Sequence, residues 1–96
     1  MKEREYILAL YEIYNCLLTQ REKSYFENYY YEDYSLQEIA DNFEVSKSYV
    51  GKYLNNISKK LNNYENKLNL YVKNEKIKEI VKSLDEKTRN EILQLL

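Results

Sequence analysis

Ninety-six residues, 44% of them hydrophobic, are enough to bury one core and too few for a second. One Gly and no Pro leave hairpins and tight turns without their usual residues, while Leu, Glu, Lys and Ile suit helices, so the composition excludes a sheet protein and predicts an all-α domain. No His, a single Cys, no Gly-rich phosphate loop and no carboxylate set at metal-ligand spacing argue against an enzyme, a cofactor and a metal alike.

Lys2 and Arg4 give the N-terminus a basic start, but Glu3, Glu5 and Glu12 interrupt the apolar run that a signal peptide needs. No stretch is apolar enough to cross a membrane, so a cytoplasmic protein without membrane contact is expected. From Glu3 to Leu18 the residues Ile7, Leu10, Tyr11, Tyr14, Leu17 and Leu18 recur at three- and four-residue spacing, the stripe of an amphipathic first helix. Cys16 lies inside this stretch and reads as a small core residue. Thr19 and Glu22 have the spacing of a capping box that opens a second helix to about Tyr31, burying Tyr25 or Phe26 with Tyr29 and Tyr30. The twelve Tyr read as core or half-buried helix positions with hydroxyls in water, in preference to a base-stacking surface.

A second box, Ser35 with Glu38, opens a third helix whose inner face is Leu36, Ile39, Ala40 and Phe43. Glu44, Val45 and Ser46 make a short turn, and Ser46 caps a fourth helix that turns Val50, Leu54, Ile57 and Leu61 inward. Two helices about three residues apart, with a small Ala40 where they meet and aliphatic side chains filling the wedge, form a helix-turn-helix. Glu44 stands where the turn commonly has a left-handed Gly, at a cost of about 1 kcal/mol. The steps Val50, Leu54, Ile57, Leu61, Tyr64, Leu68, Tyr71 continue as a heptad seam, carried by one long helix or by two separated near Asn62-Asn63. Beyond Lys73 come Ile77, Ile80, Val81 and Leu84, a third apparent box of Ser83 with Glu86, then Ile92, Leu93, Leu95 and Leu96. This apolar end either folds back on its own core or packs against a second subunit. The expected organisation is one all-helical domain over 1–96: two N-terminal helices to 34, the helix-turn-helix over 35–61, and a helical extension over 62–96 that serves dimerisation.

The run LLTQREKSYFENYYYEDYSLQEIADNFEVSKSYVGKYLNNISKKL resembles region 4 of a bacterial sigma factor, so the expected architecture is a sigma region 4-like helix-turn-helix domain with an N-terminal helix and a long C-terminal helical extension. With LYEIYNCLLT before it and NYENKLNLY after it, nearly the whole chain is similar to the YlxM-like helix-turn-helix proteins of low-GC Gram-positive bacteria and mollicutes. That resemblance implies an all-helical fold and DNA binding. It also implies a regulatory or accessory role beside the signal recognition particle GTPase and its receptor, next to which the family is usually encoded. Where the family commonly begins its recognition helix Arg-Gln-Ala-Val-Tyr-Asp-Asn-Ile, this chain has Lys47 to Leu54: Val50 and Leu54 keep the core, and the outward positions differ.

Charge locates the candidate site. Residues 1–34 and 35–46 each carry a net −3, whereas 47–67 carry +4 and 68–96 carry +1. A fourth helix entering a major groove exposes Lys47, Ser48, Gly51, Lys52 and Asn55 toward the bases, with Asn56, Lys59 and Lys60 along the backbone path. Lys52 suits a guanine edge and Asn55 an adenine, while the helix offers no Arg. The alternative is a solvated lysine face. Two functions follow: a regulator binding double-stranded DNA as a homodimer, or an adaptor whose helix-turn-helix is scaffold and whose partner is a protein or RNA of the signal recognition particle pathway.

Overall fold

A computed structural model of the chain describes residues 3–96, so Lys2 lies outside the described residues. The described residues form six α-helices and no strand: α1 (Glu3–Tyr14), α2 (Gln20–Tyr30), α3 (Leu36–Phe43), α4 (Lys47–Leu68), α5 (Leu70–Ile80) and α6 (Glu86–Leu93), with 3-10 turns at Asn15–Leu17 and Val81–Ser83. The chain is all-α, as its composition requires.

Helix α4 is the spine, packing against α1, α2 and α3. Its Val50, Leu54, Ile57 and Leu61 are buried with Ile7, Leu10, Tyr11 and Tyr14 of α1, Tyr25 and Phe26 of α2, and Ile39 and Ala40 of α3. Aromatic rings lock α2 into this assembly. Phe26 stacks on Tyr11 at 4.0 Å, and Tyr25 lies 4.3 Å from both Phe43 of α3 and Tyr53 of α4, contacts each worth about 0.5–1.5 kcal/mol beyond burial. The choice between Tyr25 and Phe26 is void, since both point inward.

The capping boxes at Thr19 and Ser35 form with both reciprocal hydrogen bonds present, fixing where α2 and α3 begin. Three expectations are corrected. Cys16 is exposed, because α1 tightens into a 3-10 turn at Asn15 and rotates the thiol away from the core. The expected seam does not break at Asn62-Asn63: α4 runs to Leu68, and Asn69, at φ 56° and ψ 28°, turns the chain into α5 and leaves Leu68 exposed. Asn tolerates this left-handed conformation better than most residues. Helix α6 is capped by Asp85, which accepts the Thr88 N–H at 3.0 Å, while the Ser83 hydroxyl donates to the Ile80 carbonyl.

Tyrosine hydroxyls expected in water instead meet carboxylates. Tyr11 donates to Glu27, Tyr31 to Glu12 at 2.7 Å, and Tyr14 to the buried Glu65 at 2.6 Å. Glu65 also accepts the N–H groups of Tyr71 at 2.9 Å and Val72 at 3.2 Å, while the Tyr14 hydroxyl accepts that of Leu70 at 3.2 Å. One carboxylate and one hydroxyl thus satisfy the orphan donors in the first turn of α5, which Asn69 does not cap with its side chain. That fixes how α5 leaves α4.

Beyond this junction the chain departs from the core. Its extents are 53 × 25 × 24 Å and its radius of gyration is 16.6 Å; a compact chain of this length has about 12.5 Å. Helices α5 and α6 form an arm in which Val81 is buried while Ile80 is 68% and Leu95 84% exposed.

Candidate nucleic-acid interface

The candidate surface is built on the α3–α4 turn. Glu44 adopts the left-handed conformation at φ 56° and ψ 45°, its N–H donates to the Asp41 carbonyl at 3.4 Å, and the Val45 N–H donates to the Ala40 carbonyl at 3.0 Å. This is the Schellman pattern, with Val45 packed on the core as its apolar lock. Ser46 then accepts the Tyr49 N–H at 3.0 Å and starts α4. With Ile39, Ala40, Val50 and Leu54 buried between the two helices, the opposite face of α4 is left to solvent.

All eight residues singled out in the sequence lie on α4. Lys47, Ser48, Lys52, Asn55, Asn56 and Lys59 are exposed, and Gly51 is half-buried at the edge of the face. Lys47, Lys52 and Lys59 form no ion pair among the described residues. Lys60 is also exposed, but it turns toward α2, where its ammonium meets the Glu22 carboxylate at 2.7 Å. Burial pushes the Glu22 carboxyl up, yet the Lys60 ammonium and the Thr19 amide outweigh it and hold the group below the usual carboxylate range. The hydrogen bond that Lys60 donates to Glu22 correspondingly raises the Lys60 ammonium. Seven of the eight residues therefore share an outward surface, and Lys60 braces α4 against α2.

Sequence reading missed Arg21. Its guanidinium lies 5.6 Å from the Tyr25 ring centre and 6.0 Å from that of Tyr53, and it donates to the Tyr25 hydroxyl at 3.3 Å. The fold so brings an exposed Arg to the flank of a helix that has none of its own. The signal was the capping box, which places residue 21 in the first, outward turn of α2.

A family model described as "Putative helix-turn-helix protein, YlxM / p13 like" (UPF0122) matches residues 1–95. The chain belongs to this family. Relatives include the UPF0122 protein of Ureaplasma urealyticum serovar 10, 39% identical over 74 residues that cover 77% of this chain and 75% of that one. The UPF0122 protein of Staphylococcus epidermidis strain RP62A is 44% identical over 71 residues, covering 74% and 64%. That of Bacillus pumilus is 42% identical over 77 residues, covering 80% and 70%. Membership agrees with the helix-turn-helix seen at Leu36–Leu68, and among the described residues no helix is long and apolar enough to cross a membrane.

Proposed function

We propose that this UPF0122 chain is a small regulatory protein that binds double-stranded DNA through the outer face of α4. The observation that carries the reading is the set Lys47, Lys52 and Lys59: three exposed ammonium groups that form no ion pair among the described residues, on the helix that a helix-turn-helix presents to a major groove. Ser48, Gly51, Lys52 and Asn55 face base edges, Asn56 and Lys59 follow the backbone, and Lys60 steadies the helix through Glu22. Two phosphate contacts, from Lys47 and Lys59, give a log-log salt slope of about −2 per chain. Fluorescence anisotropy of a labelled duplex across a salt series measures it. A flat salt dependence, or unchanged affinity in Lys47→Ala with Lys52→Ala, overturns the reading.

The same reading includes a homodimer. Val50, Leu54, Ile57 and Leu61 of the heptad seam are consumed inside their own chain, so the contact falls to Ile80, Leu84, Leu95 and Leu96 of the arm. Isolated helices as short as α5 and α6 are marginal in water, and a second arm supplies what they fail to bury. Light scattering should give twice the 11.8 kDa chain mass.

A second reading takes the exposed tip of the arm as evidence for an adaptor. There Ile80 and Leu95 dock a protein or ribonucleoprotein of the signal recognition particle pathway, the setting implied by the family's gene neighbourhood. It fails if immobilised protein retains neither the particle's GTPase nor its RNA.

A further inference from the structure

Arg21 is a cation that the fold holds in place and leaves without a counter-charge. It is exposed on the first turn of α2, in a stretch, residues 1–46, that carries a net −6, and yet it forms no ion pair among the described residues. The neighbouring Glu22 is engaged elsewhere, its carboxylate accepting from the Thr19 amide at 2.8 Å and from Lys60 at 2.7 Å. What holds Arg21 is aromatic. Its guanidinium lies 5.6 Å from the ring centre of the fully buried Tyr25 and 6.0 Å from that of Tyr53. Tyr49, 41% exposed, packs on the same two rings at 6.5 and 5.7 Å. Arg21 and Tyr49 therefore share one rigid floor, and a guanidinium laid on such a floor is pre-organised where a lysine would swing.

We propose that Arg21 and Tyr49 together seat one phosphate of a DNA strand, on the α2 side of α4. Stacking occupies the face of the guanidinium, whereas a phosphate is met at its edge. Of the five N–H donors at that edge, one is committed among the described residues, to the Tyr25 hydroxyl at 3.3 Å. The Tyr49 hydroxyl adds a neutral donor. Position makes the ligand a strand's phosphate and not a base edge. Tyr49, Tyr53 and Lys60 follow one another at helical spacing along the flank of α4 that meets α2, one step round from Lys52 and Lys59 on the outer face. A helix about 10–12 Å across fills a major groove about 12 Å wide, so what stands beside the helix meets the groove's phosphate wall. Arg21 stands there. It supplies the arginine that α4 lacks, as an anchor and not as a reader of sequence.

This rests on the DNA reading of α4, and the assay separates the two. Anisotropy of a labelled duplex across a salt series, run on the whole chain, should give a log-log slope of about −3, one contact more than Lys47 and Lys59 supply. Arg21→Gln should return the slope to about −2 and weaken binding about eightfold at about 0.1 M salt, equally for duplexes of unrelated sequence. Tyr49→Phe, which keeps the ring and the charge, should leave the slope alone and weaken binding about fivefold. Lys23→Gln is the control: it removes the same charge from α2 about 200° round the helix from Arg21 and should change neither quantity. All three variants should keep the parent's circular dichroism. The proposal is overturned if Arg21→Gln keeps the parent slope, if Tyr49→Phe binds as tightly as the parent, or if Lys23→Gln does as much as Arg21→Gln. It is overturned too if inorganic phosphate at matched ionic strength displaces the duplex from the parent and not from Arg21→Gln, because the seat then serves a free anion. A parent that binds no duplex ends the α4 reading as well, whereas a parent that binds with Arg21 indifferent ends this one alone.

Discussion

Replacing Glu65 by Ala should be the most damaging single polar change in the chain. The side chain is 3% exposed and accepts three hydrogen bonds, from the Tyr14 hydroxyl and the backbone of Tyr71 and Val72. Its loss leaves a buried hydroxyl and two part-buried amides without their acceptor. An unsatisfied buried donor costs about 1–3 kcal/mol, and water can reach the amides more readily than the hydroxyl, so the expected total is about 3 kcal/mol. For a domain of this size that lowers Tm by about 15 °C. Glu65→Gln keeps one acceptor oxygen and should cost about 1 kcal/mol. Urea unfolding followed by circular dichroism measures both, and a cycle with Tyr14→Phe isolates the shared bond, with a coupling of about 1 kcal/mol expected. A loss under about 0.5 kcal/mol for Glu65→Ala, or strict additivity with Tyr14→Phe, would show that the carboxylate does not hold the junction.

Glu44→Gly should raise stability by about 1 kcal/mol, seen as a higher urea midpoint at unchanged m, because glycine occupies the left-handed region without the strain of a Cβ. The Glu22 carboxyl is depressed in the folded chain, so its contribution is present above its ordinary value of 4.5 and is lost as pH falls through the lower folded value. Acid unfolding should therefore shift toward neutral pH in Lys60→Met, and an unchanged acid midpoint would count against the ion pair. Tyr31 is pushed up to about 12, first by burial and then by its bond to Glu12. Stability linked to it is full below pH 10 and declines as pH rises toward 12. Ultraviolet titration should show one fewer late-ionising phenol in Tyr31→Phe.

The helix-turn-helix was legible because its determinants are local. Ser35 with Glu38, Ser46 before Lys47, and the spacing of Ile39, Ala40, Val50 and Leu54 act within a few turns of chain. What escaped the sequence depends on geometry between distant segments or on single backbone angles. The heptad count runs smoothly through Leu68 and Tyr71, yet one left-handed residue, Asn69, ends the helix between them. Glu65 counts as one more surface charge until α1 brings Tyr14 across 51 positions to meet it. Cys16 has the right neighbours for a core residue, but a local switch to 3-10 winding changes which way it points. On the candidate face, position along α4 separated Lys52 from the core; it could not show that Lys60 leans onto α2 or that Arg21 leans back from it.

The arm's geometry has a consequence for how the chain opens. Val81 is the one large apolar side chain buried beyond Leu61, so the backbone amides of α5 and α6 have little packing to protect them. In hydrogen exchange they should trade protons at a free energy well below that of global unfolding, while the amides around Val50, Leu54 and Ile57 exchange last. The chain then melts from its tip inward, and what lies past the anchored first turn of α5 can rearrange or take a partner while the helix-turn-helix stays intact.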